Sequence, residues 1–410
     1  MRPWMRAASA MFVVGWGANQ FSPLLLVYRA DDGVPGSVVT TAFAAYAVGL
    51  IPALLLGARF AQRYGRRHVM CAALLLSAAA SAVLLVGGDR FWALMLGRLV
   101  AGVASGAAFG PGTAWIKDLS ADAGPGAGAR RAAVALSAGF GGGPLVAGVL
   151  AQWLTAPEVL PYLVHLCLTA AVTPLVWHAP DPADPATSGA SGAPAAGAPS
   201  QARPRLRAAL RQREFRWEVV PSAPLVFGAP TTSFAVLPAL VPLHGPDIAA
   251  GGGIAGLTLL AGLLVQPLAR RLSRRGSHVT RHCGLAAAAV GFLLAAAAVR
   301  LAEPGVLIPA AVALGACYGM LLVAGLSQLE AWAAPRDLAG AAAVFYCLAY
   351  LGFVTPLVVT ALRGVLPPAP LFVCAAATAA LLIPATALLH RAARGHPRHT
   401  GGTGSTGAAG

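Results

Sequence analysis

The chain has 410 residues, 57% of them hydrophobic and only 10% charged, against roughly 25% charged residues in a soluble domain. Its formal charge of +15 is carried almost entirely by arginine, in short clusters between apolar runs. That pattern excludes one soluble core with a single anchor and argues against a nucleic-acid-binding domain.

Apolar runs of the ~20 residues needed to cross a ~30 Å hydrocarbon core recur along the whole chain. The first follows the basic stretch Met1 to Arg6 and reaches Val27. It is too long for a signal-peptide core and lacks a small-residue cleavage site, so a retained helix is expected. Helices are expected at about 8–28, 38–60, 68–87, 92–116, 132–154 and 160–178. A segment of Ala, Pro, Gly, Ser and Asp follows, which cannot bury enough apolar surface to order itself, and then an arginine-rich stretch. Six further helices are expected at about 219–243, 248–269, 280–300, 305–329, 338–362 and 369–390. The fold class is therefore an all-α membrane protein of twelve transmembrane helices in two six-helix halves. The halves are placed at 1–178 and 219–392, joined by a flexible linker at 179–218 and followed by a disordered tail at 393–410.

Loop arginines and lysines orient such a chain. Of the 29 basic residues, 24 fall on the side that holds both termini and the linker, four on the other, and Arg98 alone inside a helix. Both termini are expected in the cytoplasm, and the bilayer is the cell inner membrane. The six cysteines lie in apolar runs without a Cys-x-x-Cys pair. They read as small hydrophobes, with neither a disulfide nor a metal site.

The halves repeat. Gly65 corresponds to Gly276, Gly102 and Gly106 to Gly315 and Gly319, and Pro144 to Pro356, at offsets of 211 to 213 residues. An internal duplication of six helices is the architecture of a rocking transporter.

Three segments carry motifs. Between the second and third helices stands Ala58-Arg59-Phe60-Ala61-Gln62-Arg63-Tyr64-Gly65-Arg66-Arg67. It resembles the G-x-L-x-D-R-x-G-R-R loop of the major facilitator superfamily, keeping Arg63, Gly65, Arg66 and Arg67. Ala58 replaces the first glycine and Gln62 the acidic residue. In that family the acid helps to latch the halves on the cytoplasmic side, so the resemblance implies a weaker or differently made latch here. The fourth helix, from Gly97 through Arg98 and Gly102 to Gly106, resembles the family's R-x-x-x-G-x-x-x-G helix. Arg98 is the one basic residue deep in an apolar run, where burial costs at least ~2.5 kcal/mol, and is expected to face a wet cavity or a partner. Gly102, Gly106 and Gly110 share a face that lets another backbone come close.

The fifth helix holds Gly139, Gly143, Pro144 and Gly148 and resembles the antiporter-type motif G-x-x-x-G-P-x-x-G-G, with Ala147 in place of one glycine. Pro144 should bend the helix, and the glycines should press it against the eighth helix, whose Gly251, Gly252, Gly253 and Gly256 offer a matching face. In the family this motif marks exporters that exchange substrate for protons, so the chain resembles the twelve-helix drug:proton antiporter branch.

None of the fourteen acidic residues lies at a helix midpoint. The expected proton carriers are Asp31 and Asp32 at one end of the first helix, Glu330 at the end of the tenth, and His165 in the sixth. Arg98, Asn19, Gln20, Tyr46, Gln152, Tyr318 and Tyr346 are the expected cavity and coupling residues. Such an aromatic, sparsely charged cavity suits amphiphilic or neutral ligands. The sequence contains no phosphate-binding Gly-Lys loop and no nucleophile–base constellation, which argues against ATP hydrolysis and against an enzyme. The expected function is export of a small amphiphilic compound by proton antiport. The expected partners are that substrate and the bilayer, with the chain monomeric, without cofactor and without nucleic acid. An importer, or a membrane sensor on a transporter scaffold, is the alternative.

Overall fold

A computed structural model describes residues 1–30, 34–87, 90–124, 126–181, 215–243, 245–332 and 338–394. Among these there is no strand. In hydrocarbon every backbone amide must be satisfied within its own helix, and the apolar runs fold accordingly. Among the described residues twelve helices are long and apolar enough to cross a membrane: α1 (Pro3–Arg29), α2 (Gly36–Tyr64), α3 (Arg66–Gly87), α4 (Phe91–Asp118), α5 (Ala127–Trp153), α6 (Leu160–Trp177), α7 (Phe215–Ala239), α8 (Asp247–Ser273), α9 (Ser277–Leu301), α10 (Pro304–Ala331), α11 (Gly340–Leu362) and α12 (Pro368–Leu388). Twelve crossings leave both chain ends on one face, here termed the terminal face; the opposite face is the distal face.

Three crossings are interrupted, each one turn before a proline. A prolyl ring lacks an N–H and crowds the carbonyl four residues back. In α1 the helix breaks at Gln20, ahead of Pro23. In α7 a widened turn covers Thr232–Val236 ahead of Pro238, and in α11 a tightened turn covers Leu351–Val354 ahead of Pro356. The breaks on α1 and α7 fall on the most enclosed crossings, with 83% and 78% of their apolar windows buried, whereas α12 has 22% and α6 28%. The first group forms the centre and the second faces lipid.

The duplication is visible in packing. A side chain at Gly102 or Gly106 would strike the carbonyls of Tyr46 and Leu50 on α2, and one at Gly315 or Gly319 those of Thr258 and Gly262 on α8. Thus α4 meets α2 as α10 meets α8, backbone against backbone. Gly110, expected on the same face, has nothing near it; the close approach ends one turn earlier.

The helices run past several expected boundaries. Ala179 and Asp181 are buried after α6, and Phe215 and Glu218 are buried in the first turns of α7, so both ends of the expected linker pack on the helices. Linker residues 182–214, Asp31, Asp32 and the tail from 395 onward lie outside the described residues.

Candidate transport site

Arg98 is completely buried in α4. It does not snorkel toward the nearby membrane surface. Its Nη1 donates to the carbonyl of Ala18, 2.9 Å away, two residues before the break in α1. Around the guanidinium stand the rings of Tyr46, Phe21 and Phe43, with centroids at 4.5, 4.8 and 5.3 Å. These cation–π contacts replace part of the lost hydration. Its Nε and Nη2 have no hydrogen-bond acceptor among the described residues.

This box belongs to the first half but touches the second. Phe353, in the tightened turn of α11, lies 5.2 Å from the Tyr46 ring and 6.5 Å from that of Phe43. Phe353 continues to Phe227 at 5.6 Å, which stacks on Tyr350 at 4.4 Å and meets Tyr318 at 5.6 Å. Tyr346 follows, 6.4 Å from Tyr350. The structure therefore brings Arg98, Tyr46, Tyr318 and Tyr346 into one aromatic run across the two halves.

The other expected polar residues sit elsewhere. Asn19 and Gln20 are buried at the break in α1, and Gln20 Nε2 donates to Ser81 Oγ at 3.0 Å. Ser81 Oγ also bonds His165 Nδ1 at 2.8 Å, and His165 Nε2 reaches the Val13 carbonyl at 3.2 Å. This thread ties α1, α3 and α6 inside the first half. Glu330 is exposed at the terminal end of α10, with none of these groups around it. Gln152 lies at the distal seam between the halves: its Oε1 accepts from the backbone N–H of Ile248 at 2.9 Å and of Ala249 at 3.3 Å. It thereby satisfies the free amides at the start of α8 from across the interface.

The α5 motif divides its contacts. A side chain on Gly148 would lie 3.2 Å from the Cα of Gly252 and 2.9 Å from the carbonyl of Ile248. Gly252 in turn would meet the Pro144 carbonyl at 2.5 Å, and Gly141 and Gly256 face each other more loosely. Gly139 and Gly143 point away from α8, however, against the backbones of Phe12 and Trp16 on α1. The expectation that Gly143 presses on α8 is corrected: successive helical residues turn by about 100°, so one motif serves two neighbours. Gly253 faces open space, and Gly251 faces Leu26 and Pro238.

The α2–α3 loop is bound within its own half. Gly65 has φ +84°, a conformation suited to glycine, and a side chain there would lie 2.9 Å from Asp181 Oδ2. That carboxylate accepts the Arg67 backbone N–H at 2.7 Å. Arg66 pairs with Asp118, and the Arg67 guanidinium lies 6.0 Å over Trp177. Arg63 stands over Tyr64, and Gln62 is exposed. Asp181 falls in the expected flexible linker, and its low-complexity surroundings carry no signal of this contact.

A second buried cation was also missed. Arg281, one of the 24 basic residues that the sequence puts on the side of the termini, is in the second turn of α9 and fully buried. Its Nη1 donates to Glu218 Oε2 at 2.6 Å, its Nη2 donates to Gln328, and Gln328 Nε2 donates to the same Glu218 oxygen at 2.6 Å. Arg98 is thus not the only arginine inside a helix. The signal available was the i+3/i+4 spacing of Arg281 to Gly284 and Leu285, which puts it on a helical face rather than in a loop. All six cysteines are free, with Cys167 and Cys374 exposed rather than buried. A cavity of about 770 Å³, lined by residues such as Pro52, Phe60, Tyr64, His68 and Leu99, belongs to α2, α3 and α4 alone and lies off the interface between the halves.

The family model of the Major Facilitator Superfamily matches residues 7–301. The quinolone resistance protein NorA of Staphylococcus aureus is 27% identical over 142 residues, which is 35% of this chain and 36% of that protein. The chain thus aligns with about a third of that relative. Among solved structures, the POT family transporter PepTSo superposes with a TM-score of 0.76 at 12% identity, over 96% of this chain and 98% of that one. The nucleoside transporter NupG gives 0.71 at 14% identity over 95% and 100%, and the human organic anion transporter MFSD10 gives 0.64 at 17% over 94% and 100%. At these identities the structural matches establish the shared fold. With its two six-helix halves and the family model spanning most of its length, the chain belongs to the Major Facilitator Superfamily, a multi-pass membrane transporter and not an enzyme.

Proposed function

We propose that the chain exports small amphiphilic compounds across the inner membrane in exchange for protons, with both termini cytoplasmic. The observation that carries this reading is the α5–α8 seam. The antiporter-type motif of α5 places Gly148 and Pro144 in backbone contact with Gly252 across the two halves. A seam without side chains lets the halves rock while excluding ions. The relative NorA is a resistance protein by its description, which agrees in direction.

Substrate enters the aromatic run between Tyr46, Phe353 and Tyr318 from the side that is open, the halves re-pack around it, and it leaves on the other side. Buried His165 and the acids at the chain's turns are the groups available to carry the proton. The test is reconstitution in proteoliposomes with an internal pH dye and a panel of amphiphilic compounds. Substrate-dependent proton movement that an uncoupler abolishes is the expected result. Transport without proton movement replaces the antiporter reading with a facilitative one. The orientation is tested separately by labelling Ser188→Cys from outside intact cells with an impermeant reagent; ready labelling reverses it.

A further inference from the structure

We propose that Arg98 is the anion-recognition centre of the transport site, and that the group it recognises is the carboxylate of an aromatic acid. The inference rests on the chain being a transporter with its site at the aromatic run, and deepens that reading by naming a substrate class.

The geometry of the guanidinium is the first ground. Nη1 is engaged by the Ala18 carbonyl, whereas Nε and Nη2 are buried without an acceptor. Those two N–H groups lie side by side in one plane, at the spacing of the two oxygens of a carboxylate, and form the fork that binds such a group bidentately. A lysine ammonium has no such edge.

Charge is the second ground. Among the described residues Arg98 makes no ion pair. Among the described residues the buried acids are Asp181 and Glu218, which are hydrogen-bonded to Arg67 N and to Arg281, both at the terminal ends of their helices. A buried cation without a counter-ion attracts an anionic ligand and repels a cationic one.

The third ground is the apolar surface beside it. Tyr46, Phe21 and Phe43 crowd the guanidinium, and across the interface Phe353 and Phe227 continue the aromatic surface. A planar ring stacks there while its acid group meets the open edge. No solvent reaches Arg98 in this conformation. Because Phe353 belongs to the other half, parting the Tyr46–Phe353 contact uncovers the box from that side.

The test uses the purified full chain in lipid nanodiscs and isothermal titration with three probes that share one ring system: 2-naphthoate, 2-naphthamide and 2-naphthylmethylammonium. The wild type is expected to bind the carboxylate at least tenfold more tightly than the amide, and the ammonium most weakly. Arg98→Gln should bring the carboxylate down to the affinity of the amide, and Arg98→Lys should restore only part of the difference. Equal binding of acid and amide by the wild type, a preference for the ammonium, a preference that survives in Arg98→Gln, or no binding of any probe overturns the proposal. If Arg98→Gln does not fold, the wild-type ranking and Arg98→Lys decide. No gradient enters the measurement, so export or proton exchange can fail in vesicles while this result stands, and the reverse.

Discussion

The two buried arginines lie one in each half, Arg98 in α4 and Arg281 in α9, and their partners differ. Arg281 has a carboxylate and an amide within its own half, and Glu218, Gln328 and Arg281 satisfy one another. Arg98 has one carbonyl, three rings and two N–H groups without an acceptor. Desolvating a charge is costly, and only good geometry and full hydrogen bonding repay it. The second half therefore uses its arginine to pin α7, α9 and α10 together. The first half keeps one arginine incompletely satisfied at the place where the halves meet. A charge that is completed inside the fold stabilises it, and a charge left open is available to a ligand.

The sharpest way to break this comparison is to remove Glu218. Glu218→Ala leaves Arg281 buried and unpaired, with an expected loss of about 3–5 kcal/mol, read as a large fall in the thermal unfolding midpoint of the purified protein. Arg98→Met, which deletes an already unpaired charge, should leave that midpoint at or above wild type while transport is lost. If both variants destabilise equally, the two arginines play the same role and the distinction fails.

A smaller effect is expected from repairing the triad with apolar groups. Glu218→Leu combined with Arg281→Met should recover most of the loss caused by Glu218→Ala, to within about 1–2 kcal/mol of wild type, since a buried ion pair and a well-packed apolar pair are of similar worth. Failure to recover would show that the triad does more than hold three helices.

The α5 glycines extend the contrast from charges to packing. Gly143→Leu meets α1 inside the first half and Gly252→Leu meets α5 across the interface, each an overpacking of about 1–3 kcal/mol. The former should lower thermal stability. The latter should leave each half folded and slow transport or admit a proton leak, measured with the internal pH dye. Matching effects of the two would remove the division of the α5 motif between its neighbours.

The smallest change expected is at the distal end of that seam. Gln152→Ala takes the side-chain acceptor from the Ala249 amide and leaves the Ile248 amide only Asp247 Oδ1, 3.0 Å away, at about 1 kcal/mol by analogy with lost helix caps. Hydrogen exchange should quicken at Ala249 more than at Ile248, while the α7–α9–α10 triad stays protected. No change in exchange would mean that water serves those amides as well as Gln152 does.

The number, length and order of the crossings were legible in the sequence because hydropathy is a local property: twenty apolar residues must cross wherever they occur. The duplication was legible for a related reason, since glycines and prolines that recur at one offset mark the same close contacts and breaks in both halves. Arg98 stood out as a charge in an apolar run. What the sequence could not supply was partnership. Glu218, Arg281 and Gln328 lie near the ends of three helices separated by up to 110 residues, and each alone looks like a loop or boundary residue. Asp181 looked like linker until the fold placed it under Gly65. Gln152 looked like a cavity residue, yet the crossing of α5 and α8 sets it over the amides of α8. Gly139 and Gly143 were assigned to the wrong neighbour because the helical pattern gives the faces but not what stands opposite each. Apolar length is fixed by the bilayer and so is written along the chain. The satisfaction of a buried polar group depends on which helices are adjacent, and only the packed bundle decides that.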